Sequence, residues 1–309
     1  MNEEREAALE RRGFLKCMVW AGTAMVWTVS GGVPRSGLIG SAEAATGEGF
    51  TFMQVSDSHI GFNKPANPDV TATFGEALAR VKAAPVQPEF LIHTGDITHL
   101  SKPEQFDTAN QMLSGTKLTT HTVPGEHDLL EDDGKSYLNH YGQGTKGAGW
   151  YSFDAGGIHF IGLVNVVDLK GNGLGNLGAE QLGWLERDLA DRSASTPIVV
   201  FAHIPLWIVY QDWGWGTADG AQALGYLKRF GSVTVLNGHI HQTLQKVEGN
   251  VAFHTAMSTA FPQPAPGTAP GPGPKAVPPG ELRNLLGVTR VSLVQTQSPL
   301  AIVDTPLAG

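Results

Sequence analysis

Residues that can bind a cation or move a proton recur in five short blocks. They are Asp57 with His59, Asp96, the run Glu126-His127-Asp128, His203, and His239 with His241. Each block follows a short run that reads as a strand: Phe50–Ser56, Phe90–Ile92, Thr119–Val123, Pro197–Ala202 and Ser232–Leu236. Carboxylate oxygens can bridge two cations, and neutral imidazoles complete each coordination shell without adding negative charge. A lone Asp-x-His, or a lone strand histidine, is more often structural. Five such blocks in order, each at a predicted strand end, point to one site, because ligands of open α/β sheets bind beyond the carboxyl ends of strands. Gly95 lets the chain turn so that Asp96 stands just past its strand.

The elements between the blocks alternate. Asp69 can cap a helix over Val70–Ala84, with Phe74, Leu78 and Val81 at helical spacing. Ser101 and Pro103 open a second helix that runs to about Leu113. Trp150–Asp154 and Ile158–Val164 flank the turn Ala155-Gly156-Gly157 and read as a hairpin. Ala179–Asp191 is amphipathic, and a further helix covers about Asp219–Phe230. Strands follow near Leu244–Val247, Val251–His254, Gly287–Val294 and Leu300–Asp304, separated by the Pro/Gly-dense loop Pro262–Gly280. This order predicts an α/β sandwich of two mixed sheets packed together, with helices outside.

The chain has 309 residues, 16% charged, and a net charge of −8. That balance argues against a broad nucleic-acid-binding face. Arg11-Arg12-Gly13-Phe14-Leu15-Lys16 resembles the twin-arginine export motif, an apolar run follows from Cys17 to Val29, and Ala42-Glu43-Ala44 fits a small-residue cleavage site. The expectation is a signal peptide over 1–44, a domain over 45–309, export by the twin-arginine translocase to the periplasm, and no stable membrane anchor after cleavage. Cys17 is the only cysteine, so a cleaved protein has no disulfide and no thiolate ligand, and any metal must be held by His and carboxylate.

Taken together, Asp57-Ser58-His59, Gly95-Asp96, Gly125-Glu126-His127-Asp128, His203 and Gly238-His239-Ile240-His241 resemble the five blocks of the calcineurin-like metallophosphoesterases. The resemblance runs from about Phe50 to His241, and the last strands look like that family's closing hairpin. It implies the family's four-layer α/β sandwich, two divalent metal ions (Fe, Mn or Zn) and hydrolysis of a phosphate ester by a hydroxide bridging the metals. By the same resemblance Asp57, His59 and His241 hold one metal, Glu126, His203 and His239 hold the other, and Asp96 bridges both. His127 is then the proton donor to the leaving group and Asp128 orients it, although a cap on the following turn is the plainer role for Asp128.

The family has Asn where this chain has Glu126. At about 4 Å and an effective dielectric near 20, one added unit charge is worth about 4 kcal/mol against another. That charge disfavours a dianionic monoester relative to a monoanionic diester, so a phosphodiester is slightly favoured as the small substrate. The same departure supports the alternative of a catalytically weak metal-binding relative that acts as a binding or scaffold protein. Among the remaining residues, His93 could stand behind the ligands, although a buried strand histidine satisfied by backbone is the plainer reading, and His99 could border the pocket. His121, His140, His159 and His254 read as structural, and Asn63 and the Trp207–Trp215 loop could contact substrate.

Overall fold

A computed structural model describes residues 25–30, 33–38, 49–278, 280–293 and 300–308. The described residues fall into two compact units, one within 1–47 and the other within 48–309. In the first, β1 (Met25–Ser30) pairs antiparallel with β2 (Val33–Leu38). The twin-arginine motif and the Ala42-Glu43-Ala44 cleavage site expected from the sequence lie outside the described residues.

The second unit carries two mixed sheets. Five strands, β3 (Thr51–Val55), β4 (Phe90–His93), β5 (Thr119–Thr122), β12 (Gly287–Ser292) and β13 (Ala301–Pro306), lie in the order β13-β12-β3-β4-β5. Six strands, β6 (Tyr151–Ala155), β7 (Ile158–Gly162), β8 (Ile198–Phe201), β9 (Val233–Asn237), β10 (Gln245–Glu248) and β11 (Val251–Thr255), lie in the order β10-β11-β9-β8-β7-β6. The central pairings β3–β4–β5 and β7–β8–β9–β11 are parallel. The carboxyl ends of the block-bearing strands within each sheet therefore point the same way.

Burial on both faces explains the continuous apolar runs of the parallel strands. Alternation sorts each strand's side chains between two layers. Phe52 faces Phe90, Phe160, Val199 and Phe201 between the sheets, whereas Met53 and Val55 face outward onto Phe74, Leu78 and Phe106. Those outer residues belong to α1 (Val70–Lys82) and α2 (Pro103–Ser114), which with α3 (Lys135–Tyr141) cover the five-stranded sheet. The outer face of the six-stranded sheet packs on α4 (Gly178–Ala190) and α5 (Gly220–Leu227) through Leu182, Leu185, Ala223 and Leu227. The result is the predicted order of layers, helix, sheet, sheet, helix. The aromatic centre between the sheets is tight: Phe52 and Phe160 meet edge to face at 5.2 Å, and Phe52 and Phe90 stack at 5.2 Å.

Local signals account for the element ends. Asp69 caps α1 by accepting from the Ala72 N–H at 2.9 Å. Pro103 opens α2, with Lys102 rather than Ser101 at the cap and no side-chain bond there. The sheet edges are polar or half-buried: β10 reads Gln-Lys-Val-Glu and is exposed throughout, a protected edge.

Candidate metal centre

Each of the five blocks sits where the sequence predicts, on the loop that leaves a strand's carboxyl end. Asp57 and His59 follow β3, Asp96 follows β4, Glu126 to Asp128 follow β5, His203 follows β8, and His239 and His241 follow β9. Two strands of the five-stranded sheet and two of the other are zipped together there by backbone bonds. Asp57 N–H donates to Gly95 O at 3.0 Å, His59 N–H to Asp96 O at 2.9 Å, and Gly238 N–H to His203 O at 3.0 Å.

The backbone is strained at this place. Nine non-glycine residues among those described have positive φ, and five of them are Asp57, His59, Asp96, His239 and His241. Each such conformation costs about 1–3 kcal/mol and persists only where its surroundings hold it. The turn at Gly125 is equally constrained, since a Cβ there would lie 2.1 Å from Asp96 Oδ1. The close approach delivers the His127 N–H to Asp96 Oδ1 at 2.9 Å. With Oδ1 tied down, Oδ2 of Asp96 is left facing the site.

The side chains gather into two groups that share that oxygen. In one, His241 Nε2 lies 3.3 Å from Asp57 Oδ1 and 3.3 Å from His59 Nε2, and His59 Nε2 is 3.5 Å from Asp96 Oδ2. In the other, Glu126 Oε2 is 3.1 Å from His203 Nε2, Glu126 Oε1 is 3.0 Å from His239 Nδ1, and His203 Nε2 is 3.4 Å from Asp96 Oδ2. Asp57, His59 and His241 form one set able to hold a metal ion, and Glu126, His203 and His239 form a second; donors also gather as Asp57, Asp96 and His203, as Asp96, Glu126 and His127, and as His59, His99 and His127.

The donor set fits cations. His203 Nδ1 is 2.7 Å from Thr94 O and His241 Nδ1 is 2.5 Å from Phe261 O, so both rings donate outward and turn their Nε2 lone pairs inward. Inward, His203 Nε2 meets oxygens of Asp96 and Glu126 and the His239 ring nitrogen at 3.3 Å, and His241 Nε2 meets Asp57 Oδ1 and the His59 ring nitrogen at 3.3 Å. Glu126 Oε2 is buried and has no hydrogen-bond partner although His203 Nε2 is 3.1 Å away, which is the arrangement of two ligand atoms awaiting a positive charge. The electrostatics show a concentration of negative charge at this place. Burial pulls the His203 pKa down, yet Asp96 and Glu126 outweigh it and hold it well above the ordinary value. Burial pushes Asp57 up, but His241 and His203 bring its carboxyl to about 2. Burial likewise raises Glu126, and His239 and His203 hold it well below the carboxylate range.

His127 lies outside the two sets that match the sequence expectation, and it also gathers with Asp96 and Glu126 and with His59 and His99. Its Nδ1 donates to His99 O at 2.6 Å, which fixes the ring and leaves Nε2 free. The ring stacks on His99 at 4.9 Å and meets His59 at 4.8 Å. Burial lowers its pKa, but Asp96 and Glu126 more than compensate and raise it above the ordinary histidine value.

Asp128 differs from the expected orienting role. Its carboxylate accepts from Ile97 N–H (3.1 Å), Thr98 N–H and Oγ1 (2.8 Å each) and Gly125 N–H (3.0 Å). No hydrogen bond joins it to the His127 ring. Asp128 ties the loop after β4 to the loop after β5, the plainer capping role, and the ring is oriented by the His99 carbonyl. Burial and the nearby Asp96 push the Asp128 carboxyl up to about 6.

The other histidines divide cleanly. His99 is half-buried at the site, with its Nδ1 3.4 Å from His59 Nδ1. His93 is fully buried behind it, bonded to Ser58 Oγ at 2.9 Å, and burial drives its pKa to about 3. His121 stacks on Phe153, His140 meets Asp107, His159 lies between Asp154 and Asp188, and His254 meets Asp304, none of them in the gathered groups. In the Trp207–Trp215 loop, Trp207 packs on Phe253 and Trp215 is buried, so both are packing residues. Asn63 is exposed. Phe261 was not legible in the sequence. Its ring stacks on His59 at 4.7 Å and its carbonyl fixes His241, and a phenylalanine before a Pro-rich loop carries no signal for either task.

A 3′,5′-cyclic-nucleotide phosphodiesterase of Nostoc sp. is 26% identical over 218 residues, covering 68% of this chain and 79% of the relative. A glycerophosphodiester phosphodiesterase of Enterobacter lignolyticus is 25% identical over 183 residues, covering 56% and 63%. A dimetal phosphatase from Danio rerio superposes with a TM-score of 0.56 at 14% identity over 82% of this chain and 98% of that one, which is likeness of fold. The model of the calcineurin-like phosphoesterase family matches residues 50–243, and with the five blocks converging beyond the carboxyl ends of strands from both sheets, the chain belongs to that family.

Proposed function

We propose that the protein is a dinuclear-metal phosphodiesterase. The observation that carries this is the single oxygen Asp96 Oδ2, which lies 3.5 Å from His59 Nε2 and 3.4 Å from His203 Nε2 and so belongs to both ligand groups. Asp57, His59 and His241 would hold one cation, Glu126, His203 and His239 the other, with Asp96 between them, and Fe, Mn or Zn suits this mixture of imidazole and carboxylate. Such a pair of cations supplies Lewis acidity and neutralises charge on the phosphoryl oxygens. The chain's own residues do the rest. Water adds its oxygen to phosphorus and releases one proton to solvent, one P–O bond to an alcohol breaks, and protonated His127 gives its Nε2 proton to the departing oxygen. The ring then recovers a proton from solvent, and the products are an alcohol and a phosphate monoester.

Glu126 turns both carboxylate oxygens toward His203 and His239, which supports its place as a ligand and weakens the binding-only alternative. Its charge is also why a diester is favoured. Activity on bis-p-nitrophenyl phosphate should exceed that on p-nitrophenyl phosphate with Mn, Fe or Zn added, and Glu126→Asn should shift that ratio toward the monoester by about tenfold or more, part of the 4 kcal/mol ceiling of one charge at contact. No turnover of either ester with any metal overturns the reading.

We also propose export by the twin-arginine pathway to the periplasm, supported by Arg11-Arg12 and the cleavage pattern at Ala42-Glu43-Ala44. N-terminal sequencing of the protein from the periplasmic fraction should begin at Ala45, and an uncleaved cytoplasmic product refutes it.

A further inference from the structure

Five exposed large apolar side chains share one rim. Leu100 (42% exposed), Leu130 (59%), Val167 (56%), Leu169 (41%) and Ile208 (47%) stand on the loops leaving the carboxyl ends of β4, β5, β7 and β8. Three of those loops carry Asp96, Glu126 with His127, and His203. Single surface leucines need no explanation, but a set gathered round one mouth does.

The loops touch one another, so the five form a ledge. Glu131 N–H donates to Ser101 Oγ at 2.7 Å, joining the Leu100 and Leu130 loops. Leu129 packs on the cluster of Trp150, Val166 and Ile204, which brings the Leu130 loop against those bearing Val167 and Ile208. Gly175 N–H donates to Gly216 O at 2.9 Å and ties the last two loops together. Between Val167 and Leu169, Asp168 pairs with Lys170, so that stretch presents no net charge.

We infer that this ledge seats an apolar arm of the substrate, so that the protein cleaves a phosphodiester in which one esterified alcohol carries an alkyl or acyl chain. The inference rests on the diesterase reading above. A seat for one amphiphile fits better than a membrane-docking face. Leu130 is followed by Glu131-Asp132-Asp133, and the full chain carries a net charge of −8, which opposes adsorption to an anionic bilayer. A fully buried methylene is worth about fourfold in binding, and a ledge covers one side only, so a gain of about 1.5- to 2-fold per methylene is expected.

The test is kcat/KM of the metal-loaded protein on methyl, butyl and octyl p-nitrophenyl phosphate, each below its micelle concentration. The octyl-to-methyl ratio should be about tenfold or more, and the double variant Leu130→Ser, Ile208→Ser should bring it toward one with metal content unchanged. A ratio near one in the parent, with the methyl ester cleaved, overturns this inference and leaves the diesterase reading standing. A high ratio that survives the double variant removes the ledge as the seat. Co-sedimentation with phosphatidylglycerol vesicles together with a flat ratio makes the ledge a bilayer face instead. No cleavage of any of the three esters, nor of bis-p-nitrophenyl phosphate, removes the diesterase reading first and this inference with it.

Discussion

Asp96→Ala is expected to abolish activity, by about 10³-fold or more, and to lose bound metal at the same time. The two effects come together because Asp96 Oδ2 faces both ligand groups while Oδ1 accepts the His127 N–H at 2.9 Å. Removing the carboxylate takes one negative charge from between two would-be cations and also frees the loop after β5. At about 4 Å and an effective dielectric near 20, each lost charge–charge contact is worth about 4 kcal/mol before compensation, enough to weaken metal binding by orders of magnitude. Asp96→Asn separates the two losses. An amide oxygen can still accept from His127 N–H, so the loop should keep its place while metal affinity falls. Metal content and kcat measured side by side check this. An Asp96→Ala protein that keeps full metal and activity is incompatible with a shared ligand.

The second large effect is at His127. His127→Ala should lower kcat on a diester with an aliphatic leaving alcohol by about 10²- to 10⁴-fold, the usual contribution of a positioned proton donor. The loss should be far smaller on bis-p-nitrophenyl phosphate, because p-nitrophenolate departs without a proton. Metal content should stay near the parent's, since Asp57, His59 and His241 and Glu126, His203 and His239 supply three donors to each cation without it. The pH dependence has a definite sign. The protonated ring is the active form, so rate on the aliphatic diester falls as pH rises through its pKa. In the metal-free protein, Asp96 and Glu126 overcome burial and hold that pKa above the ordinary value. Bound cations oppose those carboxylates, so the ring should titrate at lower pH in the loaded protein, and the alkaline limb should vanish in His127→Ala. An unchanged rate on the aliphatic diester would remove the proton-donor role.

Much of this was legible in the chain itself because burial and chemistry coincide in its pattern. Leu91, Ile92, Val199, Val200, Val235 and Leu236 are fully buried, so their strands read as apolar runs, and a polar residue just past each run stands out. What depends on contacts between distant segments was not legible. Asp128 next to His127 suggests a pair, but the carboxylate is claimed by the N–H groups of Ile97, Thr98 and Gly125, three donors that converge only in the folded chain. The ring is oriented by the His99 carbonyl, and a carbonyl has no signature in sequence. Phe261 and the apolar ledge are equally invisible, because a leucine on a loop looks the same whether it rims a site or not. Helix ends followed local rules closely at Asp69, and less so at α5, where the helix stops at Leu227 and Arg229 turns back onto the Leu189 and Arg192 carbonyls.

The central claim is that side chains on the loops leaving five strand ends hold a pair of cations. It is tested most directly by elemental analysis of the purified, folded protein after equilibration with Mn, Fe or Zn and removal of free ion. Close to two divalent ions per chain is the predicted result, dropping below one in Asp96→Ala. A folded parent protein that retains only trace metal would contradict it.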